Sequence, residues 1–352
     1  MKKWNVAVVG VGAVGIQMLR CLKRRKFPLG ELRVFARSAR DIEVDGQIYS
    51  VKAISPEGFE GIDIALFAGT EGEKGAAVTF ASEAIRRGAV VIDNGADFRM
   101  KKNVPLVIPE VNAGDIKKHK GIIANPNCST IQMVVAAYPI YKKFGIKRMV
   151  VSSYQAASGA GRQAVAQLFS ELRTIMKKPA SGQTEFGTDI KASSCVRDSA
   201  LKALPRQLAF NVFPHIGSFQ EAGYTTEEWK TIRETRKILH NNRIKISATC
   251  VRVAVRTGHS QAIYMETNKR ADALKVKQIL SRAKGVKVVD EPQRSIYPVP
   301  LDCEGRDEVF VGRIRNDPFI NKGLWLWVVS DNLLKGAALN AIQIAEFLTL
   351  KS

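Results

Sequence analysis

One cysteine stands where a thiol could act as a nucleophile. In Asn125-Pro126-Asn127-Cys128-Ser129-Thr130, the thiol of Cys128 comes just before a run with helical spacing, Ile131 to Ala137. A helix start offers the positive end of the backbone dipole and several free N–H groups. Both would lower the thiol pKa and stabilise an oxyanion formed beside it. The other four cysteines lack this setting: Cys21 and Cys250 fall inside apolar helix or strand patterns, and Cys195 and Cys303 lie in polar stretches without a partner. No Cys-x-x-Cys or His-x-x-x-His pair suggests a metal. A thiolate nucleophile also needs a group that moves protons. Of the four histidines, His119 sits in a lysine cluster and His240 at a helix end, both expected to face solvent; His259 follows a strand carrying Arg252. Spacing alone does not assign the role to His259.

A second feature could hold phosphates. Gly10-Val11-Gly12-Ala13-Val14-Gly15 lies between the apolar run Asn5–Val9 and the helical pattern Ile16–Leu22. In that setting Gly10 permits a tight turn, Gly12 lets a pyrophosphate approach the backbone, and Gly15 allows close helix–strand packing. The phosphates would meet free N–H groups at the helix start. The next strand, Leu32–Ala36, ends in Arg37-Ser38 with no acid at its tip. A cation and a hydroxyl there suit the 2′-phosphate of NADP better than the bare ribose of NAD.

These residues need elements to hold them. Strand patterns at 5–9, 32–36, 62–68 and 89–93 alternate with helical ones at 16–22 and 76–87. This alternation predicts a Rossmann-type, doubly wound parallel sheet. Beyond about residue 127 the pattern changes. Strands are expected at 148–154, 244–255, 260–266, 309–314 and 324–329, and helices at 129–137, 225–240 and 332–350. The segment 177–204 reads as a long polar excursion. A chain of 352 residues exceeds the usual single-domain size. Residues 1–127 with 330–352 are therefore assigned to an NADP-binding domain, and 128–329 to an α+β catalytic and dimerisation domain with a mixed sheet.

Composition excludes several classes. At 45% apolar and 25% charged, with 27 Gly and 13 Pro, the chain is neither disordered nor collagen-like. No apolar run is long enough to span a bilayer, and the N-terminus enters a strand without a secretory h-region, so a cytoplasmic protein with no membrane partner is expected. The net charge of +21 raises the question of nucleic acid. Its local runs, Lys23-Arg24-Arg25-Lys26 and Lys117-Lys118-His119-Lys120, are short, scattered and free of interleaved aromatics. No nucleic-acid partner is expected.

Four motifs taken in order resemble aspartate-semialdehyde dehydrogenase of the bacterial type: Pro126-Asn127-Cys128-Ser129-Thr130-Ile131-Gln132, Tyr154-Gln155-Ala156-Ala157-Ser158-Gly159-Ala160-Gly161, Ser247-Ala248-Thr249-Cys250-Val251-Arg252-Val253 and Val328-Val329-Ser330-Asp331-Asn332-Leu333-Leu334-Lys335-Gly336-Ala337-Ala338. The resemblance implies reduction of L-aspartyl 4-phosphate by NADPH to the semialdehyde and phosphate, a step in making lysine, diaminopimelate, threonine and methionine. By the same resemblance Cys128 matches the nucleophile, His259 the acid/base group and Gln155 the residue that places substrate beside the thiol. Asn127 falls with them in the substrate site, Arg252 matches the grip on the α-carboxylate, and Glu227 faces the α-amino group. Arg99 and Lys230 match the phosphate cations. Gly10 to Gly15, Arg37, Ser38, Ser158, Gly159 and Asn332 match cofactor contacts, and a homodimer or homotetramer is implied. The glycine loop is one residue shorter than the family's, and the turn Gly69-Thr70-Glu71-Gly72-Glu73-Lys74 lacks its serines. Competing readings are an N-acetyl-glutamyl-phosphate reductase, whose cysteine neighbours differ, and a basic nucleic-acid-binding or scaffold protein on a degenerate dehydrogenase fold.

Overall fold

The apolar runs near the N-terminus become one sheet. In a computed structural model, which describes residues 2–68, 72, 75–177 and 203–350, β1 (Trp4–Val9), β2 (Leu29–Ala36), β3 (Arg40–Val44), β4 (Gln47–Ala53), β5 (Ile64–Phe67), β6 (Val90–Asp93) and β7 (Ile122–Ala124) form seven strands ordered β3-β4-β2-β1-β5-β6-β7. All pairings are parallel except β3 with β4. The helices Ala13–Arg24 and Ala76–Arg86 bury one face each against it. Cys195, the turn 69–74 apart from Gly72, and the excursion 177–204 apart from its ends lie outside the described residues.

The second half forms a mixed sheet. It contains β8 (Ile146–Gln155), β9 (Val212–Phe213), β10 (Lys245–Val253), β11 (His259–Thr267), β12 (Val286–Val288), β13 (Val309–Asn316) and β14 (Gly323–Ser330), ordered β12-β13-β14-β11-β8-β10-β9. β8 runs parallel to β10 and antiparallel to β11, which is antiparallel to β14. The carboxyl ends of β8, β10 and β14 therefore meet the amino end of β11 at one edge of the sheet. Gln155 pairs with Arg252 across that edge, and His259 with Ser330.

The helix Cys128–Phe144 joins the two halves. It leaves β7 through Asn125-Pro126-Asn127 and packs Ile131, Val134 and Ala137 into a core shared with Met149, Val151, Ile263 and Leu326. The sequence pattern ends this helix at Ala137, but it continues through Pro139, whose ring it accommodates, to a glycine cap at Gly145 with φ +67°. The C-terminal segment returns to the first sheet. It is a π-helical turn, Leu334–Ala338, followed by the helix Leu339–Thr349, rather than one helix from Asn332. Leu339, Ile342 and Ile344 pack with Val6, Val8, Leu19 and Leu22. Cys303, expected in a polar stretch, is buried against Phe310 and Val329, and His119 is half-buried rather than solvent-facing.

The glycine loop has the shape its spacing demands. Gly10 adopts φ +99°, and a Cβ on Gly15 would collide with the carbonyl oxygen of Gly10. Replacing Gly15 with Ala should therefore lower stability by about 1–3 kcal/mol, read as a shift in urea midpoint at constant slope. An unshifted midpoint would show that the helix is not held against the loop.

Candidate active site

The thiol sits at the first position of the Cys128–Phe144 helix, behind an Asn127 cap. The side-chain oxygen of Asn127 accepts from the backbone N–H groups of Ser129 and Thr130 at 3.0 and 3.3 Å. Its amide nitrogen donates to Glu227 at 2.9 Å, and Gln155 donates to the same carboxylate oxygen at 3.3 Å. Lys230, one turn further along the helix Thr226–Ile238, lies 3.9 Å from the other oxygen. Thr225 and Glu228 form a capping box at the start of this helix, which fixes where Glu227 points. Gly336, in the π-helical turn, packs against Cys128: a Cβ there would lie 2.9 Å from the cysteine Cβ.

Arg252, Ala156 and His259 form the adjoining wall. Nη1 of Arg252 donates to the Ala156 carbonyl at 2.6 Å, and the Ala156 N–H donates to Nδ1 of His259 at 3.1 Å. Accepting at Nδ1 puts the proton of the neutral ring on Nε2. That atom is buried without a partner, as is Nε of Arg252. Gly159 packs against both side chains, since a Cβ there would lie 3.0 Å from the imidazole and 3.2 Å from Nη1 of Arg252. A buried donor without a partner on each of these two side chains can serve an anionic or carbonyl oxygen. Burial, then the Arg252 charge, hold the imidazole at a pKa of about 3, with Gly258 opposing weakly. His259 is neutral at physiological pH.

Arg99 is buried on the other side of Asn127. Its Nε donates to the Asn125 carbonyl at 2.9 Å, its Nη2 to that of Asn94 at 2.7 Å, and its Nη1 to Glu234 at 3.1 Å. The structure thus links all eight residues expected at the chemical centre: Arg99, Asn127, Cys128, Gln155, Glu227, Lys230, Arg252 and His259. The sequence reading missed Glu234, although it lies two helical turns from Glu227, on the same side of the helix.

One expectation is reversed. The thiol of Cys128 is not acidified: burial and then the Glu227 carboxylate push it up to about 12, against the pull of Arg99, the Ser129 N–H and Arg252. The helix start supplies hydrogen bonds, but the free site holds the thiol protonated.

The cofactor loop opens onto a cleft of about 680 Å³ lined by Gly10, Val11, Gly12, Arg37, Ser38, Arg40, Phe80 and Arg162, among others. Nothing lies within 4 Å of a Cβ built on Gly12, and the helix Ala13–Arg24 has neither a side-chain cap nor an acid in its first turn. Those features fit a dinucleotide pyrophosphate. Arg40, which donates to Ser38 Oγ at 3.2 Å, and Arg162, which reaches the Val11 carbonyl at 3.4 Å, were not singled out from the sequence. Ser158 and Asn332 bond each other at 3.0 Å, and Asn332 also accepts from the Gly258 N–H at 2.9 Å, just before His259.

Known proteins resemble this chain along its length. Residues 5–119 match the family model "Semialdehyde dehydrogenase, NAD binding domain", and residues 138–335 match "Semialdehyde dehydrogenase, dimerisation domain". Aspartate-semialdehyde dehydrogenase of Aquifex aeolicus is 49% identical over 353 residues, covering 98% of each chain. The Bacillus subtilis protein of that name is 47% identical, covering 98% of this chain and 97% of its own. A crystal structure of aspartate semialdehyde dehydrogenase II from Vibrio cholerae, in complex with ASA, superposes with a TM-score of 0.89 at 38% identity, over 100% of this chain and 99% of that one. Fold, glycine loop and cysteine site define a dinucleotide-binding semialdehyde dehydrogenase. With such identity along its whole length, the chain belongs to the aspartate-semialdehyde dehydrogenase family.

Because the Glu227 charge helps to keep Cys128 protonated, Glu227→Gln should speed alkylation of Cys128 by iodoacetamide several-fold at pH 8 in the ligand-free protein. In the unsubstituted protein the rate should still be climbing at pH 10. A plateau near pH 7, or a slower Glu227→Gln variant, would overturn this account.

Proposed function

We propose that the chain reduces L-aspartyl 4-phosphate with NADPH to L-aspartate 4-semialdehyde and phosphate, in the cytoplasmic route to lysine, diaminopimelate, threonine and methionine. The observation that carries this reading is Cys128 at a capped helix start, with the charges of Glu227, Arg99 and Arg252 acting on it and Lys230 3.9 Å from Glu227. Those charges complement the substrate group by group. Glu227 takes the α-ammonium, Arg252 the α-carboxylate, and Arg99 with Lys230 the phosphate. Gln155, bonded to Glu227, sits beside the acyl group.

The protonated thiol of the free site has a consequence for the order of events. A substrate ammonium on Glu227 offsets the charge that helps hold the proton on sulfur, so the nucleophile becomes accessible as the substrate arrives. The sulfur attacks the acyl carbon, the C–O bond to phosphate breaks, the thiol proton leaves with the phosphate as hydrogen phosphate, and a thioester on Cys128 remains. NADPH, when bound, supplies the hydride that reduces this thioester. The resulting oxyanion accepts a hydrogen bond from the His259 Nε2–H and collapses to the aldehyde as the C–S bond breaks and the Cys128 thiolate leaves. A ring with a pKa near 3 is a neutral donor in this role, not a resting imidazolium.

Residues 1–127 with 330–352 serve as the NADP-binding domain, and 128–329 as the catalytic and dimerisation domain. Gly10, Val11, Gly12, Ala13, Val14 and Gly15 would hold the pyrophosphate, and Ser158, Gly159 and Asn332 the nicotinamide side. Arg37, Ser38 and Arg40 favour NADP over NAD, and none of the described residues lining the cleft is acidic. The outer face of the second sheet supports a homodimer, from which a tetramer can be built. Its half-buried ring pairs Tyr154–Trp327 and Tyr264–Trp325, with centroids 5.6 and 5.0 Å apart, suit a twin face. Nucleic acid is not required by the charge: Arg24 and Arg25 of the longest basic run pair with Asp307 and Glu346.

Purified protein given aspartate semialdehyde, phosphate and NADP should reduce the cofactor only when phosphate is present. Cys128→Ala should abolish this while leaving NADP affinity intact, and near-normal turnover in that variant would sink the nucleophile assignment. Equal turnover with NAD would overturn the reading of Arg37 and Ser38.

A further inference from the structure

The helix Thr226–Ile238 carries Glu227, Lys230, Glu234 and Lys237 at intervals of three, four and three residues, along one side. The reaction above uses the first two. Glu234, only 1% exposed, sits between two donors: its Oε1 accepts from Nη1 of Arg99 at 3.1 Å, and its Oε2 from the Asn127 backbone N–H at 2.7 Å. Lys237 donates to the carbonyls of Arg99, Lys101 and Val104 at 2.6, 2.9 and 2.8 Å. One helix thus holds the Arg99 segment by its side chain and by its main chain. The Lys230 charge acts on the same Glu234 carboxylate.

We propose that Glu234 is a positioning residue for the phosphate group. Its two oxygens set the Arg99 guanidinium and the peptide next to Cys128 in one frame, so that phosphate is held at a fixed distance from the thiol. This inference rests on the reading of Arg99 and Lys230 as the phosphate cations. A carboxylate can serve two donors at once, whereas an amide turns an N–H₂ toward one of them. Arg99 keeps its bonds to the Asn94 and Asn125 carbonyls when Glu234 is altered, so the chain should still fold. What is lost is the alignment of the guanidinium with the Asn127 peptide, and with it the grip on a phosphate oxygen.

The test uses the full-length protein in the direction that consumes inorganic phosphate, with Glu234→Gln and Glu234→Asp. In Glu234→Gln the KM for phosphate should rise about tenfold or more, while that for aspartate semialdehyde stays within about threefold. The calorimetric Kd of the NADP-loaded protein for inorganic phosphate should rise by the same factor as its KM. Glu234→Asp keeps both oxygens and should recover part of the phosphate affinity; should Glu234→Gln not fold, a selective rise in phosphate KM in Glu234→Asp decides the matter. An unchanged phosphate KM, or equal rises for both substrates, overturns the proposal. Absence of phosphate-dependent turnover in the unsubstituted protein would instead sink the functional reading. Normal phosphate dependence there, with a wild-type KM in the variants, would remove only the role of Glu234.

Discussion

The site depends on the buried start of the Cys128–Phe144 helix. The first N–H groups of a helix have no partner within it, and burial makes an unmet donor costly. Here Asn127 accepts two of them, so its side-chain amide must donate elsewhere, and Glu227 receives it. The Asn127 peptide N–H needs an acceptor as well, which is Glu234, and a carboxylate so deeply placed needs a counter-charge, which is Arg99. One local requirement thus draws in four of the charged or polar groups around the thiol. Two of the groups that satisfy the helix start, Glu227 and Arg99, are also charges that the proposed reaction assigns to the substrate.

Burial also explains why the free site is quiet. Taking a charge out of water disfavours its charged form, so the thiol rises and the imidazole falls. The pair at rest is a neutral thiol and a neutral ring. In the proposed reaction, charge arrives with the substrate. Gly159 and Gly336 matter for the same enclosure, because a side chain on either would press into the imidazole or the cysteine.

The architecture sets these groups at a junction. β7 ends the first sheet, three residues cross over, and the helix then belongs to the core of the second. At that crossing the strand ends carrying Gln155, Arg252 and His259 converge, because β11 runs opposite to β8 and β10. The cofactor cleft opens on the first sheet, and Arg162, at the start of a helix that follows the second sheet's first strand, reaches back to the glycine loop at Val11. The two halves are therefore tied on the cofactor side as well as through the cysteine helix.

Local pattern alone determined much of this protein. The period-two and apolar strands, the glycine loop, the Thr225 cap and the cysteine before a helical run are properties of a few neighbouring residues, and each forms close to where its pattern lies. The β3–β4 hairpin was missed although its signal was present, a two-residue Asp45-Gly46 turn with both residues at positive φ. The helix through Pro139, the burial of Cys303 and the π-helical turn before Leu339 depended on neighbours distant in sequence. So did the protonation of Cys128. Helix position argues for an acidic thiol, but the outcome was decided by burial and by Glu227, a residue 99 positions away whose approach no local pattern encodes. Spacing in the chain says which residues share a face; only the folded chain says what that face meets, and electrostatic energies follow from that meeting.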